Sequence, residues 1–179
     1  MLSLHHILIH FPIGLWLLGT LLILLGAMTN GRLAENSRTA LLPVLVVGLL
    51  GAVVSLISGV LIWPMEANLH SPMIRNHILM ALWTVAVFGL LTLLVWRAGA
   101  AAFEGARRWV LVILSLYGSL LLMTTGTLGG YLAGAASPFS NLLRWNVFTT
   151  YYSPTWVVAV MVLVGLAGGY LWYRGRQPA

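Results

Sequence analysis

Apolar residues fall in five long runs, 7–28, 40–63, 77–96, 109–133 and 156–173, and every charged side chain lies in the stretches between or after them. A hydrocarbon core of about 30 Å takes about 20 helical residues to cross, so each run is near or above the length of a span. A segment in lipid must pair its own backbone groups, and a helix does so internally. The pattern predicts an all-α integral membrane bundle of five transmembrane helices. Breakers stand where the runs should stop or start: Asn30-Gly31, Trp63-Pro64, Ser137-Pro138 and Ser153-Pro154. Short connections make the first four runs an up-down four-helix bundle, about residues 3–134, inside one transmembrane domain over 1–179. An outer aromatic segment, 135–154, and an additional helix, 155–173, complete that domain.

The first run reads as a retained helix rather than a signal peptide. No basic residue precedes it, it is too long, and no small-residue cleavage pattern follows it. Pro12 falls in its early turns, where it leaves the Leu8 carbonyl without an amide partner and favours a kink.

Composition agrees with the pattern. The chain is 60% hydrophobic and 7% charged, outside the range of an ordinary soluble domain. All nine basic residues are arginines, set against three glutamates for a net charge of +6. They are spread over the connections, which suits membrane orientation and not nucleic-acid binding. Arg32, Arg38, Arg97, Arg107, Arg108, Arg174 and Arg176 fall on one side, Arg75 and Arg144 on the other. That asymmetry puts the N-terminus outside, which in a bacterium is the periplasmic face of the inner membrane. Phe139, Trp145, Phe148, Tyr151 and Tyr152 then lie on the outer side, as interfacial anchors, a partner-docking surface or a quinone pocket. With no cysteine, thiolate metal sites, iron–sulfur clusters and covalent c-type haem are excluded.

The five histidines, His5, His6, His10, His70 and His77, all fall at or near the outer face in this topology. His10 and His77 stand just inside apolar runs, where an ionisable side chain is costly and normally faces the bundle interior. Helices 1 and 3 are diagonal in an up-down bundle. Adjacent axes lie about 8–10 Å apart, so the diagonal is on the order of 11–14 Å, room for an imidazole from each side and a metal centre between. The expected arrangement is bis-histidine haem b, with His10 and His77 as axial ligands. Small residues on the other diagonal, Gly51, Ser55 and Gly59 in helix 2 and Gly126, Gly130 and Gly134 in helix 4, are expected to leave space for the macrocycle, with Gly129 adding to it. The same spacing also serves close helix packing without a cofactor. Ser55, Ser58 and Thr127 are candidate hydrogen-bond partners, and Arg75 and Arg144 candidate propionate partners.

The opening His5-His6-Ile7-Leu8-Ile9-His10-Phe11-Pro12-Ile13-Gly14 resembles the H-P-x-x-V-H-F-P-I motif that begins a family of bacterial inner-membrane proteins of unknown function. His5 and His10 match its two histidines. The resemblance runs through Ser58-Gly59, His77 and Gly129-Gly130, over roughly residues 3–134. The family is similar to four-helix b-type cytochrome membrane domains, which implies haem binding. Here His6 replaces the family's proline, Ile62 stands where many members carry aspartate, Thr127 stands where some carry histidine, and helix 5 is additional.

The leading expectation is a haem b electron-transfer subunit, with one haem or a second drawing on His5, His6 and His70. It would relay electrons between a quinone or partner redox protein and a periplasmic carrier such as a cytochrome. The first alternative is copper or other transition-metal binding or transport, because Met65, Glu66 and Met73 share the side of the histidines. The second is a cofactor-free scaffold subunit. Hydrolytic chemistry is disfavoured, since Glu35, Glu66 and Glu104 all lie in connections and no HExxH or nucleophile motif exists.

Overall fold

The computed structural model describes residues 2–62, 70–135 and 155–174. It is all-helical: α1 spans Leu2–Met28, α2 Arg32–Ile62, α3 Pro72–Ala98, α4 Gly105–Leu132 and α5 Thr155–Arg174, with a 3-10 segment at Gly99–Phe103 between α3 and α4. The first four helices are each long and apolar enough to cross a membrane. α5 is shorter, at 20 residues. Only 28% of the most apolar window of α1 and of α2 is buried within the protein. The rest presents Leu17, Leu21, Val46, Leu50 and their like outward, a surface suited to lipid rather than to water.

The helices overrun the apolar stretches by up to two turns because their ends are set by capping chemistry, not by the hydrocarbon. After α1, Thr29 donates its hydroxyl to the Leu25 carbonyl at 2.6 Å, and Gly31, at φ +71°, turns the chain into α2. Arg38 reaches back and donates from Nε and Nη2 to the Gly26 carbonyl at 2.9 and 2.6 Å, satisfying one of the last acceptors of α1. Its guanidinium also lies 5.1 Å from the Phe103 ring centroid. Ser71 caps α3, accepting from the Ile74 amide, with Pro72 in the first turn. α4 closes with the Ala135 amide on the Gly130 carbonyl at 2.8 Å, and Gly134 takes the left-handed φ of +79° that this turn needs. The 3-10 segment lies in what the sequence suggests is a plain connection. Its Ala102 and Phe103 are buried, and the Phe103 ring fills the space over Gly26.

α1 packs on α2, α2 on α3, α3 on α4 and α4 back on α1, with α5 against the outside of α4. The expected cyclic order therefore holds, with α1 and α3 on one diagonal and α2 and α4 on the other. At mid-bundle the first diagonal is closed by Trp16 and Phe88, whose rings stack at 4.4 Å and 2°. Each ring needs a glycine beside it. A Cβ on Gly48 would stand 2.8 Å from Trp16, and one on Gly118 2.9 Å from Phe88. Buried hydroxyls donate within their own helices, as Thr84 to Met80, Thr92 to Phe88 and Thr124 to Leu120, so the apolar core holds few unmet donors. Below the stack, the Thr20 and Ser119 hydroxyls meet at 2.9 Å and tie α1 to α4.

Candidate functional site

Helical phase decides which histidines of α1 face the bundle. Pro12 and Trp16 are buried. At 100° per residue, His5, seven residues before Pro12, lies within about 20° of the same face, whereas His10, two residues away, lies about 200° round. The structure follows this phase. His10 is exposed, and its Nδ1 donates to the His6 carbonyl one turn back. It does not meet His77. The inward histidine of α1 is His5, whose Nδ1 lies 2.8 Å from the Ser58 hydroxyl of α2. His77, on α3, donates from Nδ1 to the Thr125 carbonyl of α4 at 3.0 Å. His5 and His77 lie toward the same end of the bundle, on the α1–α3 diagonal.

These bonds fix the tautomers. A carbonyl only accepts, so His77 carries its proton on Nδ1 and the lone pair of the neutral ring is on Nε2. The Ser58 hydroxyl spends its proton on the Ser55 carbonyl at 2.8 Å, so His5 Nδ1 is the donor in its own bond and its lone pair is likewise on Nε2. An imidazole anchored through Nδ1–H to a protein oxygen, with Nε2 as the basic nitrogen, is the usual state of a metal-ligating histidine.

Two of the glycines, Gly59 and Gly129, seat these two rings. A Cβ on Gly59 would stand 3.2 Å from His5 Cε1, and one on Gly129 2.9 Å from His77 Cε1. Gly126 faces open space, and Gly130 lies in the closing turn of α4, where a Cβ would meet the Ala135 carbonyl at 3.0 Å. Ser55 is buried and donates to the Gly51 carbonyl at 2.9 Å, so it shapes α2 and leaves Ser58 to hold His5. Thr125 also donates its hydroxyl to Leu121 at 2.8 Å and meets the Thr84 hydroxyl at 3.2 Å, which braces α4 against α3 beneath His77.

The remaining candidates divide. His6 is half-buried, its ring centroid 6.0 Å from that of His5. His70 is exposed. Arg75 is half-buried in the first turn of α3, two residues before His77. Met65, Glu66, Arg144, Arg176, the aromatics of 139–152 and the remainder of that segment lie outside the described residues. Among the described residues, no three His, Cys, Asp or Glu side chains gather as a metal-binding group.

An antiparallel bundle of apolar helices with two inward, oxygen-anchored imidazoles at one end defines a multi-span membrane protein with a histidine site. The chain belongs to the family described as "Predicted membrane protein (DUF2231)", whose profile matches residues 1–137. That stretch covers α1 to α4 and both inward histidines. No curated protein and no solved structure matches the chain.

Proposed function

We propose that this protein is a haem b-binding electron-transfer subunit of the bacterial inner membrane, with its haem at the periplasmic end of the bundle. The observation that carries the reading is the pair His5 and His77, each held through Nδ1 by an oxygen of the neighbouring helix with its lone pair on Nε2. A bare metal ion usually takes about four protein or water donors, and the described residues offer no such cluster. Two imidazoles suit an iron that brings four in-plane nitrogens of its own. Among the described residues the donor chemistry fits haem b; Met65 and Glu66 of the copper reading lie outside them.

Bound haem would supply one-electron chemistry. His5 and His77 would orient it, Ser58 and the Thr125 carbonyl would hold those imidazoles, and Arg75, near His77, would neutralise a propionate. The arginine asymmetry supports an outside N-terminus, and α5 would be a fifth span. Partners at the periplasmic end would be a quinone or a redox subunit on one hand and a soluble carrier on the other.

The test is a reduced-minus-oxidised visible spectrum with metal analysis of protein purified in detergent. Sharp b-type bands with about one haem per chain support the proposal. Copper without haem favours the transition-metal reading, and neither signal leaves the scaffold reading; both results overturn the haem assignment.

A further inference from the structure

The two halves of the bundle repeat each other. His5 packs over Gly59 and His77 over Gly129; Trp16 packs over Gly48 and Phe88 over Gly118. On the first diagonal, His5 to His77 and Trp16 to Phe88 are both steps of 72 residues. On the second, Gly48 to Gly118 and Gly59 to Gly129 are both steps of 70. Within each helix the two markers are eleven residues apart, about three turns or 16 Å along the axis. The chemistry also corresponds. His77 donates to the Thr125 carbonyl, and His5 donates to the Ser58 hydroxyl, which in turn donates to the Ser55 carbonyl; 55 to 125 is again 70. The same registers align Thr20-Leu21-Leu22 with Thr92-Leu93-Leu94, Arg38 with Arg108 and Leu41 with Leu111.

Two parallel copies of a hairpin in a ring of four helices are related by a two-fold rotation about the bundle axis, a repeat relation known in membrane folds. The two-residue difference in step lies between the paired markers, 32 residues from Trp16 to Gly48 against 30 from Phe88 to Gly118; the first hairpin has the longer helix ends and the shorter connection, 29–31 against 99–104. The Trp16–Phe88 stack, at 4.4 Å and nearly coplanar, is what such an axis produces when equivalent aromatic residues meet on it. The contacts between halves obey the same rule. Ser119 of α4 faces α1 through Thr20, and its counterpart, Leu49 of α2, faces α3, with Cδ1 3.9 Å from the Cβ position of Gly89.

We infer that the bundle is a duplicated helical hairpin, α1–α2 and α3–α4, whose binding site lies on the pseudo-two-fold axis and takes a planar, two-faced ligand held equivalently by His5 from one half and His77 from the other. The identity of that ligand as haem rests on the function proposed above; the duplication does not. Each half supplies one imidazole with its glycine seat and an oxygen anchor on the neighbouring helix, a hydroxyl for His5 and a carbonyl for His77, so neither hairpin holds a complete site. His10 has no inward counterpart, since the residue 72 positions on is Leu82, which is exposed like His10 itself.

Cysteine pairs in the full-length chain, which has none of its own, test the duplication in native membranes without reference to any cofactor. T20C/S119C replaces two hydroxyls that touch and is expected to form a disulfide on mild oxidation. The duplication requires that L49C/T92C, its two-fold counterpart, form one to a similar extent, whereas L49C/S119C does not. Failure of L49C/T92C beside a successful T20C/S119C overturns the duplication. For the site, H5A and H77A are each expected to convert low-spin haem to a five-coordinate high-spin form to the same degree, while H10A leaves the spectrum unchanged. Bound haem that stays low-spin in H5A or H77A overturns the equivalent pair. Wild-type protein without haem overturns the functional reading instead, and the cross-links then decide the duplication alone.

Discussion

Gly129→Ala is expected to weaken haem retention by about 10–100-fold, the usual cost of disturbing what orients a metal ligand, while the helices still assemble. The added methyl would stand 2.9 Å from His77 Cε1 and 3.5 Å from Nδ1, a separation that real Cβ atoms do not adopt. The ring has to move, and it is anchored at 3.0 Å to the Thr125 carbonyl in the same turn of α4. Relief of the clash therefore costs the hydrogen bond that fixes the tautomer. Gly126→Ala is the control. No atom lies within 4 Å of its Cβ position, so haem content should equal that of the unaltered protein. The comparison is made by pyridine haemochrome assay on membranes matched for protein level. Equal loss in both variants would point to helix packing, and equal retention would remove the glycine seat from the account.

Trp16→Ala is expected to be the most destabilising single truncation, at about 3 kcal/mol. That figure is the low end of the range for emptying a large aromatic from a core, chosen because lipid already solvates apolar surface and leaves mainly lost packing. Trp16 is 2% exposed, stacks on Phe88 and fills the notch over Gly48, and Phe88 is itself wholly buried. Removing one ring leaves the other without its partner on the bundle axis. Unfolding in mixed micelles with increasing SDS, followed by circular dichroism, measures the loss. Trp83, 42% exposed on α3, supplies the contrast: Trp83→Ala should shift the midpoint little. Similar shifts for both would show that the stack does not organise the core.

The bundle was legible in the sequence because lipid leaves few alternatives. Charges confined to the connections, with runs of about 20 apolar residues between them, announce helices, and the breakers mark their ends. The cyclic order of the four helices follows from short connections. The choice among the N-terminal histidines was not legible by depth alone: His10 sits deeper in the apolar run, but its phase, opposite Pro12 and Trp16, takes it to the outside. Counting turns from those residues would have favoured His5. Small residues at spacing four suggested an empty diagonal, yet Gly59 and Gly129 are occupied by the imidazoles themselves, a distinction that needs side-chain positions.

The duplication was hidden for a related reason. Outward positions of a membrane helix tolerate any apolar residue, so identity between the halves has decayed to fragments such as Thr20-Leu21-Leu22 and Thr92-Leu93-Leu94. What persists is what the site and the core need: a histidine and an aromatic residue on one helix, and two glycines eleven residues apart on the next.

Low-temperature electron paramagnetic resonance of the oxidised, purified protein tests the proposed iron coordination directly. Ligation by His5 and His77 predicts a low-spin ferric signal of two-imidazole type, integrating to about one spin per chain. A preparation from haem-sufficient cells that shows only high-spin iron, or no haem iron at all, would contradict it.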